Sequence, residues 1–131
     1  MNLESPKVTI DKSAQDCFDF LSKVENFKKL MPENISKFEV LENDKFLFAL
    51  KGMPEIILKK QEVLPPNKIV LGAAGGKLDF SLTGNIVELD DNSSDVQLHF
   101  SGDFNPMMAM MIKGPISKFI ETLVTSIPKA I

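Results

Sequence analysis

The chain has 131 residues, 44% hydrophobic and 25% charged, and carries a net charge of -3 from 15 Lys+Arg against 18 Asp+Glu. A folded chain of this length buries about two-thirds of its unfolded surface, so its core needs neither metal nor disulfide to hold it. One cysteine, Cys17, and one histidine, His99, exclude a disulfide framework, a multi-cysteine zinc or iron–sulfur centre and a two-histidine metal motif, and the acidic balance gives no electrostatic reason to bind nucleic acid or an anionic membrane.

The amino end, MNLESPKV, has no basic patch leading into an apolar core, and no apolar run approaches the ~18 residues of a spanning helix. The expectation is one domain over residues 1–131, cytoplasmic and without stable membrane insertion. An extended stretch from Leu3 to Ile10 comes first, with Val8 and Ile10 on one side. Ser13 can then accept from the Asp16 amide while the Asp16 carboxylate reaches back to the Ser13 N–H, as in a capping box. Ala14, Cys17, Phe18 and Leu21 recur at helical spacing and form the stripe this helix should bury. The segment VENFKKLMP predicts a second short helix, with Phe27, Leu30 and Met31 as its apolar side and Pro32 closing it.

Beyond Pro32 the period changes from helical to extended. Residues 35–42, 45–51, 55–64, 69–74, 78–89 and 96–104 are runs rich in Ile, Val, Leu and Phe. They are separated by Asn43-Asp44, Gly52-Met53-Pro54, Pro65-Pro66-Asn67, Gly75-Gly76 and the DDNSSD segment. Connections this short make consecutive strands antiparallel, because a parallel pair needs a crossover of a dozen residues or more. Two runs alternate cleanly: Leu78, Phe80, Leu82, Gly84 and Ile86 share one face, and Val96, Leu98, Phe100, Gly102 and Phe104 another. Such a sheet is wet on one side and covered on the other. Gly84 and Gly102 lie on the covered face, where they permit bending or leave room for a helix or ligand.

Asn105 is placed to cap a final helix that has Pro106 in its first turn. Met108, Ile112, Ile116, Phe119, Ile120, Leu123, Ile127 and Ile131 give it an apolar stripe, with Lys113, Ser117, Lys118, Glu121, Thr125 and Lys129 opposite. Gly114-Pro115 should kink this helix or divide it.

Strand, two short helices, six antiparallel strands and one long terminal helix: this order resembles the START-like, or helix-grip, superfamily. Within it, the chain is most similar to the small polyketide cyclase/dehydrase and lipid-transport-like (SRPBCC) proteins. The resembling segments are VTIDKSAQDCFDFLSKVENFKKLMP and NPMMAMMIKGPISKFIETLVTSIPKAI, with the six-strand meander between them. The resemblance implies an α+β helix-grip fold, a curved antiparallel sheet of about seven strands wrapped around the terminal helix, with an apolar cavity between the two. It would set Met108, Met111, Ile112, Ile116, Phe119, Ile120 and Leu123 over the sheet. Phe80, Leu82, Phe100 and Phe104 would face them, with Phe27, Leu30 and Met31 near one mouth. The implied partner is a small apolar molecule, a lipid or an aromatic compound, with no cofactor, metal or nucleic acid. The chain has no Tyr or Trp to anchor a polar atom in such a pocket.

Three functions compete on this frame. Binding or transport of an apolar molecule leads, because the inward pattern is rich in Phe and Met and short of reacting groups. A polyketide cyclase or dehydratase-like enzyme would need an inward acid, base or hydroxyl, for which Lys60, Glu62 and Thr83 are the positions to inspect. A bulge or edge that returns Lys60 and Glu62 to solvent is the simpler reading. A homodimer or protein-interaction module without a cavity would instead expose apolar side chains around Met107–Met111 or Phe46–Leu50. Met107, Met108, Met110 and Met111 are read first as packing and second as a ligand mouth. His99 falls on the outer strand face and Cys17 on the buried stripe, so neither takes a catalytic role here. The GAAGGK segment lacks the GxxxxGK[ST] string of a phosphate loop and reads as a hairpin connection.

Overall fold

In the computed structural model, which describes residues 1–52, 55–74 and 79–131, eight strands form one antiparallel sheet. The elements run β1 (Asn2–Glu4), β2 (Val8–Ile10), α1 (Ala14–Ser22), a 3-10 helix (Val24–Leu30), β3 (Ile35–Leu41), β4 (Lys45–Leu50), β5 (Ile56–Leu64), β6 (Lys68–Ala73), β7 (Asp79–Asp90), β8 (Ser93–Asp103) and α2 (Pro106–Ala130). The sheet order is β1-β8-β7-β6-β5-β4-β3, with β2 also on β8. The fold is the α+β helix-grip arrangement, and its long terminal helix packs on β1, β2, β8 and the 3-10 helix.

The first extended stretch is two strands rather than one. Glu4 pairs with His99 and Val8 with Val96, so three residues of the amino-terminal segment oppose two of β8. Pro6 cannot donate to a ladder. Ser5 takes over the pairing: its N–H donates to the Leu98 carbonyl at 2.9 Å, and its Oγ accepts from the Leu98 N–H at 2.9 Å.

Helix α1 forms as its sequence dictates. Ser13 Oγ accepts from the Asp16 N–H at 3.1 Å, and Ala14, Cys17, Phe18 and Leu21 are all buried. The helix covers β6 and β7, where Leu21 Cδ1 lies 3.8 Å from the position a Cβ on Gly84 would occupy. Extended backbone at Lys23 then ends it. The following 3-10 helix buries Val24, Phe27 and Leu30, a step of three that a helix of three residues per turn stacks into one row.

The meander follows the sequence reading within a residue or two, except that β8 starts at Ser93. Asp90 Oδ1 accepts from the Asn92 N–H at 2.7 Å, which tightens the β7–β8 turn and lets the ladder run to its end. This bond is the main reason the Asp90 carboxyl sits below its ordinary range. Asn43 and Asp44 turn the β3–β4 hairpin with φ of 60° and 58°, a region that Asn and Asp tolerate better than other side chains. The Gly75-Gly76 corner, part of the Gly52-Met53-Pro54 corner and Leu78 lie outside the described residues.

Gly114-Pro115 does not divide the terminal helix, which is continuous from Pro106 to Ala130. Asn105 Oδ1 accepts from the Met108 N–H at 2.8 Å as its cap. No helix among the described residues is long and apolar enough to cross a membrane.

Candidate functional site

The buried residues of α2 are Ile116, Phe119, Ile120, Leu123, Val124 and Ile127, so burial begins only after Gly114-Pro115. The amino-terminal half stands away from the sheet, and Met107, Met110 and Met111 are 76%, 84% and 71% exposed. Packing therefore describes only the half-buried Met108 among the four clustered methionines. Beneath this half of the helix lies a cavity of about 1010 Å³, at the upper end of the range for small-molecule sites.

Phe80 and Phe100 form the sheet wall, with Phe104 at the end of β8. Their rings stack in series, with centroids 5.4 Å apart for Phe80–Phe100 and 6.1 Å for Phe100–Phe104. Met108, Ile112, Ile116 and Phe119 form the helix wall, and Leu50 and Ile56, which flank the β4–β5 connection, close one side. A second run of rings, Phe27–Phe46–Phe48–Phe119, crosses the core from the 3-10 helix to α2 with spacings of 5.2, 5.9 and 4.9 Å. Phe119 thus belongs both to the packed core and to the cavity wall.

Several residues expected at the cavity lie elsewhere. Phe27 and Leu30 are not at a mouth: the 3-10 row turns them into the core, 4% and 1% exposed. Met31, half-buried, packs against that core, and the rim begins one residue later at Pro32. Leu82, 3% exposed on β7 between Leu71 and Phe100, is packed in the sheet core and is not part of the cavity lining. Ile120 and Leu123 lie in the closed half of α2, 1% and 0% exposed. Met111 is at the rim rather than over the sheet.

Conversely, the rim and wall contain polar residues outside the expected set: Glu33 and Asn34 after the 3-10 helix, Lys51 after β4, and Lys118 and Thr122 on α2. Met111, Pro115, Lys118 and Thr122 follow one another at steps of four, three and four, a single helical stripe along the cavity edge. Lys118 is therefore not on the face opposite the cavity. The sequence signal was this stripe, which the neighbouring apolar one obscures.

The positions inspected for catalysis stay away from the cavity lining, among the described residues. Lys60 Nζ donates to the Ser22 carbonyl at 3.0 Å and lies 3.6 Å from Asp44 Oδ2, so its charge meets the carboxyl end of α1, where a cation is favoured. The β5–β6 register shifts between Lys60 and Glu62. This bulge leaves Glu62 exposed, while Thr83 lies on the sheet face opposite the buried Leu82 and Gly84. His99 is on that outer face, with Nε2 3.3 Å from Asn2 Oδ1 and Nδ1 3.7 Å from Glu4 Oε1. Cys17 is fully buried, its Sγ 3.2 Å from Ser94 Oγ. Ser94 Oγ donates its proton to the Lys12 carbonyl at 3.0 Å, so the Cys17 S–H is the donor to Ser94. Burial pushes this thiol up, and the nearby Asp16 carboxylate adds to the effect. A raised thiol in a closed site packs as a small apolar group. No group of three or more His, Cys, Asp or Glu comes together as a metal site among the described residues.

No protein-family model and no curated protein matches the chain. Solved structures do match along almost its whole length. A START superfamily protein from Mycobacterium smegmatis superposes with a TM-score of 0.75 at 16% identity, covering 98% of this chain and 94% of that one. Norcoclaurine synthase from Thalictrum flavum gives 0.76 at 14% identity, covering 98% and 84%. A conserved protein from Geobacillus kaustophilus gives 0.70 at 16% identity, covering 98% and 93%. The chain has the START-like, helix-grip fold. Identities this low establish the architecture and leave the chemistry to the site.

Proposed function

We propose that this protein binds a small apolar molecule between its sheet and the amino-terminal half of α2. The observation that carries the reading is the cavity itself: about 1010 Å³, walled by Phe80, Phe100, Phe104, Ile112, Ile116 and Phe119. Apolar burial supplies the affinity, about 25 cal/mol for each Å² of ligand surface taken from water, before the costs of association. The residues proposed to contact the ligand are these six with Met108 and Met111; Thr122 offers a hydroxyl to a polar atom of the ligand.

Norcoclaurine synthase, which shares the fold, has been solved with dopamine and hydroxybenzaldehyde, so the architecture admits aromatic ligands and catalysis alike. Binding without catalysis is the reading favoured here, because Lys60, Glu62 and Thr83 lie away from the cavity lining, Glu33, Lys51 and Lys118 are exposed at its rim, and the walls carry only the Thr122 hydroxyl. The exposed Met107, Met110 and Met111 favour a second reading, in which this end of α2 meets another protein or a second copy of the chain.

Native mass spectrometry of gently purified protein, followed by denaturation and identification of released molecules, tests both. A stoichiometric apolar adduct is the expected result. Bare monomer after challenge with a mixed lipid and aromatic library contradicts the binding reading, and bare dimer moves the assignment to the interface.

A further inference from the structure

We infer that the ligand is an amphipathic anion, an apolar body carrying one acidic head, with the body in the cavity and the head at Lys51 and Lys118. This rests on the binding reading above and adds the chemical class of the ligand.

The walls and the rim differ in kind. Apart from Thr122, the walls are hydrocarbon, whereas Glu33, Lys51 and Lys118, all exposed, are the charged residues of the lining among the described residues. Two ammonium groups against one carboxylate make the rim positive on a chain whose net charge is -3. The local sign is thus opposite to the global one, the condition under which a cleft concentrates ions of one charge.

The two lysines come from separate elements that line the same mouth. Lys51 continues from β4 and is tied to the adjacent rim segment before β3, its N–H donating to the Asn34 carbonyl at 3.0 Å. Lys118 lies on the α2 stripe between Pro115 and Thr122. Other lysines are engaged: Lys37 lies 3.2 Å from Glu55, and Lys60 3.6 Å from Asp44. Neither Lys51 nor Lys118 forms an ion pair with a described carboxylate. A lysine at an apolar mouth lays its methylene stem along the wall and keeps its ammonium in water. Two of them therefore extend the apolar surface and end it with positive charge, complementary to a molecule that is apolar along its length and anionic at one end. A carboxylate, sulfonate or phosphate monoester head would accept charge-assisted hydrogen bonds from both.

The test uses two fluorescent probes with one apolar body: 1-anilinonaphthalene-8-sulfonate, which carries an acidic head, and N-phenyl-1-naphthylamine, which does not. Each is titrated into the full chain at low and at high salt, and each is competed against the other. The sulfonate should bind more tightly by roughly five- to tenfold at low salt, be displaced by the neutral probe, and lose its advantage as salt rises. The ratio of the two affinities should fall toward one in the K51Q/K118Q double variant and rise in E33Q. Equal affinities, or a ratio that these variants leave unchanged, overturn the anionic head while the apolar pocket stands. A sulfonate that the neutral probe does not displace is bound elsewhere and also overturns it. Failure of both probes to bind overturns the pocket reading and this inference together.

Discussion

The two halves of α2 carry the same kind of sequence and do opposite things. Met108 and Ile112 continue the apolar stripe that Ile116, Phe119, Ile120 and Leu123 complete, yet burial begins only at Ile116. From there to Ile127 the helix closes the core with α1, the 3-10 helix and the sheet. From Pro106 to Pro115 it roofs a cavity. Apolar periodicity says which face of a helix avoids water; it does not say whether protein or ligand covers that face. The hinge between the two regimes is Gly114-Pro115, where the missing Pro N–H leaves the Met111 carbonyl without its helical donor.

The contrast is sharpest in truncations. Leu123→Ala, in the closed half at 0% exposure, should cost about 2–5 kcal/mol in urea unfolding. Met111→Ala, on the rim at 71% exposure, should cost no more than about 0.5 kcal/mol. Similar losses at the two positions would mean that the amino-terminal half is packed after all. Enlargement reverses the contrast. Val124→Phe overfills a site at 0% exposure and should destabilise by about 1–3 kcal/mol. Ile112→Trp grows into the cavity, so it should leave stability within about 1 kcal/mol and weaken N-phenyl-1-naphthylamine binding at least tenfold, read by fluorescence titration.

Smaller effects refine the picture at Gly114 and on α1. A Cβ at Gly114 would meet nothing within 4 Å, so Gly114→Ala should raise stability by about 0.5–1 kcal/mol through helix propensity alone. A loss instead would show that the mouth needs the glycine's backbone freedom. On α1, the raised Cys17 thiol makes a pH-dependent contribution. The folded state holds this proton more tightly than the unfolded chain does. Its stabilisation is therefore complete below the unfolded thiol range near pH ~8.5 and is lost as pH rises through the folded value. The fall in Tm between neutral and alkaline pH should thus be shallower in Cys17→Ala than in the parent, although the variant starts lower.

Much of this architecture is legible in the residues themselves. Alternation located the meander because each strand has one wet face, and the Ala14, Cys17, Phe18, Leu21 stripe and the Asn105 cap are local features that tertiary packing leaves unchanged. The first strand was misread because alternation does not reveal that Pro6 breaks a ladder which Ser5 repairs through Leu98. At the site, Phe80, Phe100, Phe104, Met108, Ile112, Ile116 and Phe119 were legible as inward apolar residues and do line the cavity. Phe27 and Leu30 were not separable from them, since the direction of a short helix depends on its junction, here the extended Lys23. Lys51 left no signal at all, and Lys118 only an obscured one, for a related reason. A rim exists only where two elements fail to meet, and that is a property of the assembled fold.

The central claim is that the amino-terminal half of α2 is the lid of an apolar binding site. Amide hydrogen exchange read by mass spectrometry, with and without saturating N-phenyl-1-naphthylamine, addresses both halves of the helix in one sample. The account predicts that peptides spanning Met108–Gly114 exchange quickly in the free protein and slow markedly with the probe, while Leu123–Ile127 is protected in both. Unchanged exchange over Met108–Gly114 at saturation, or protection gained only at a site remote from α2, would contradict it.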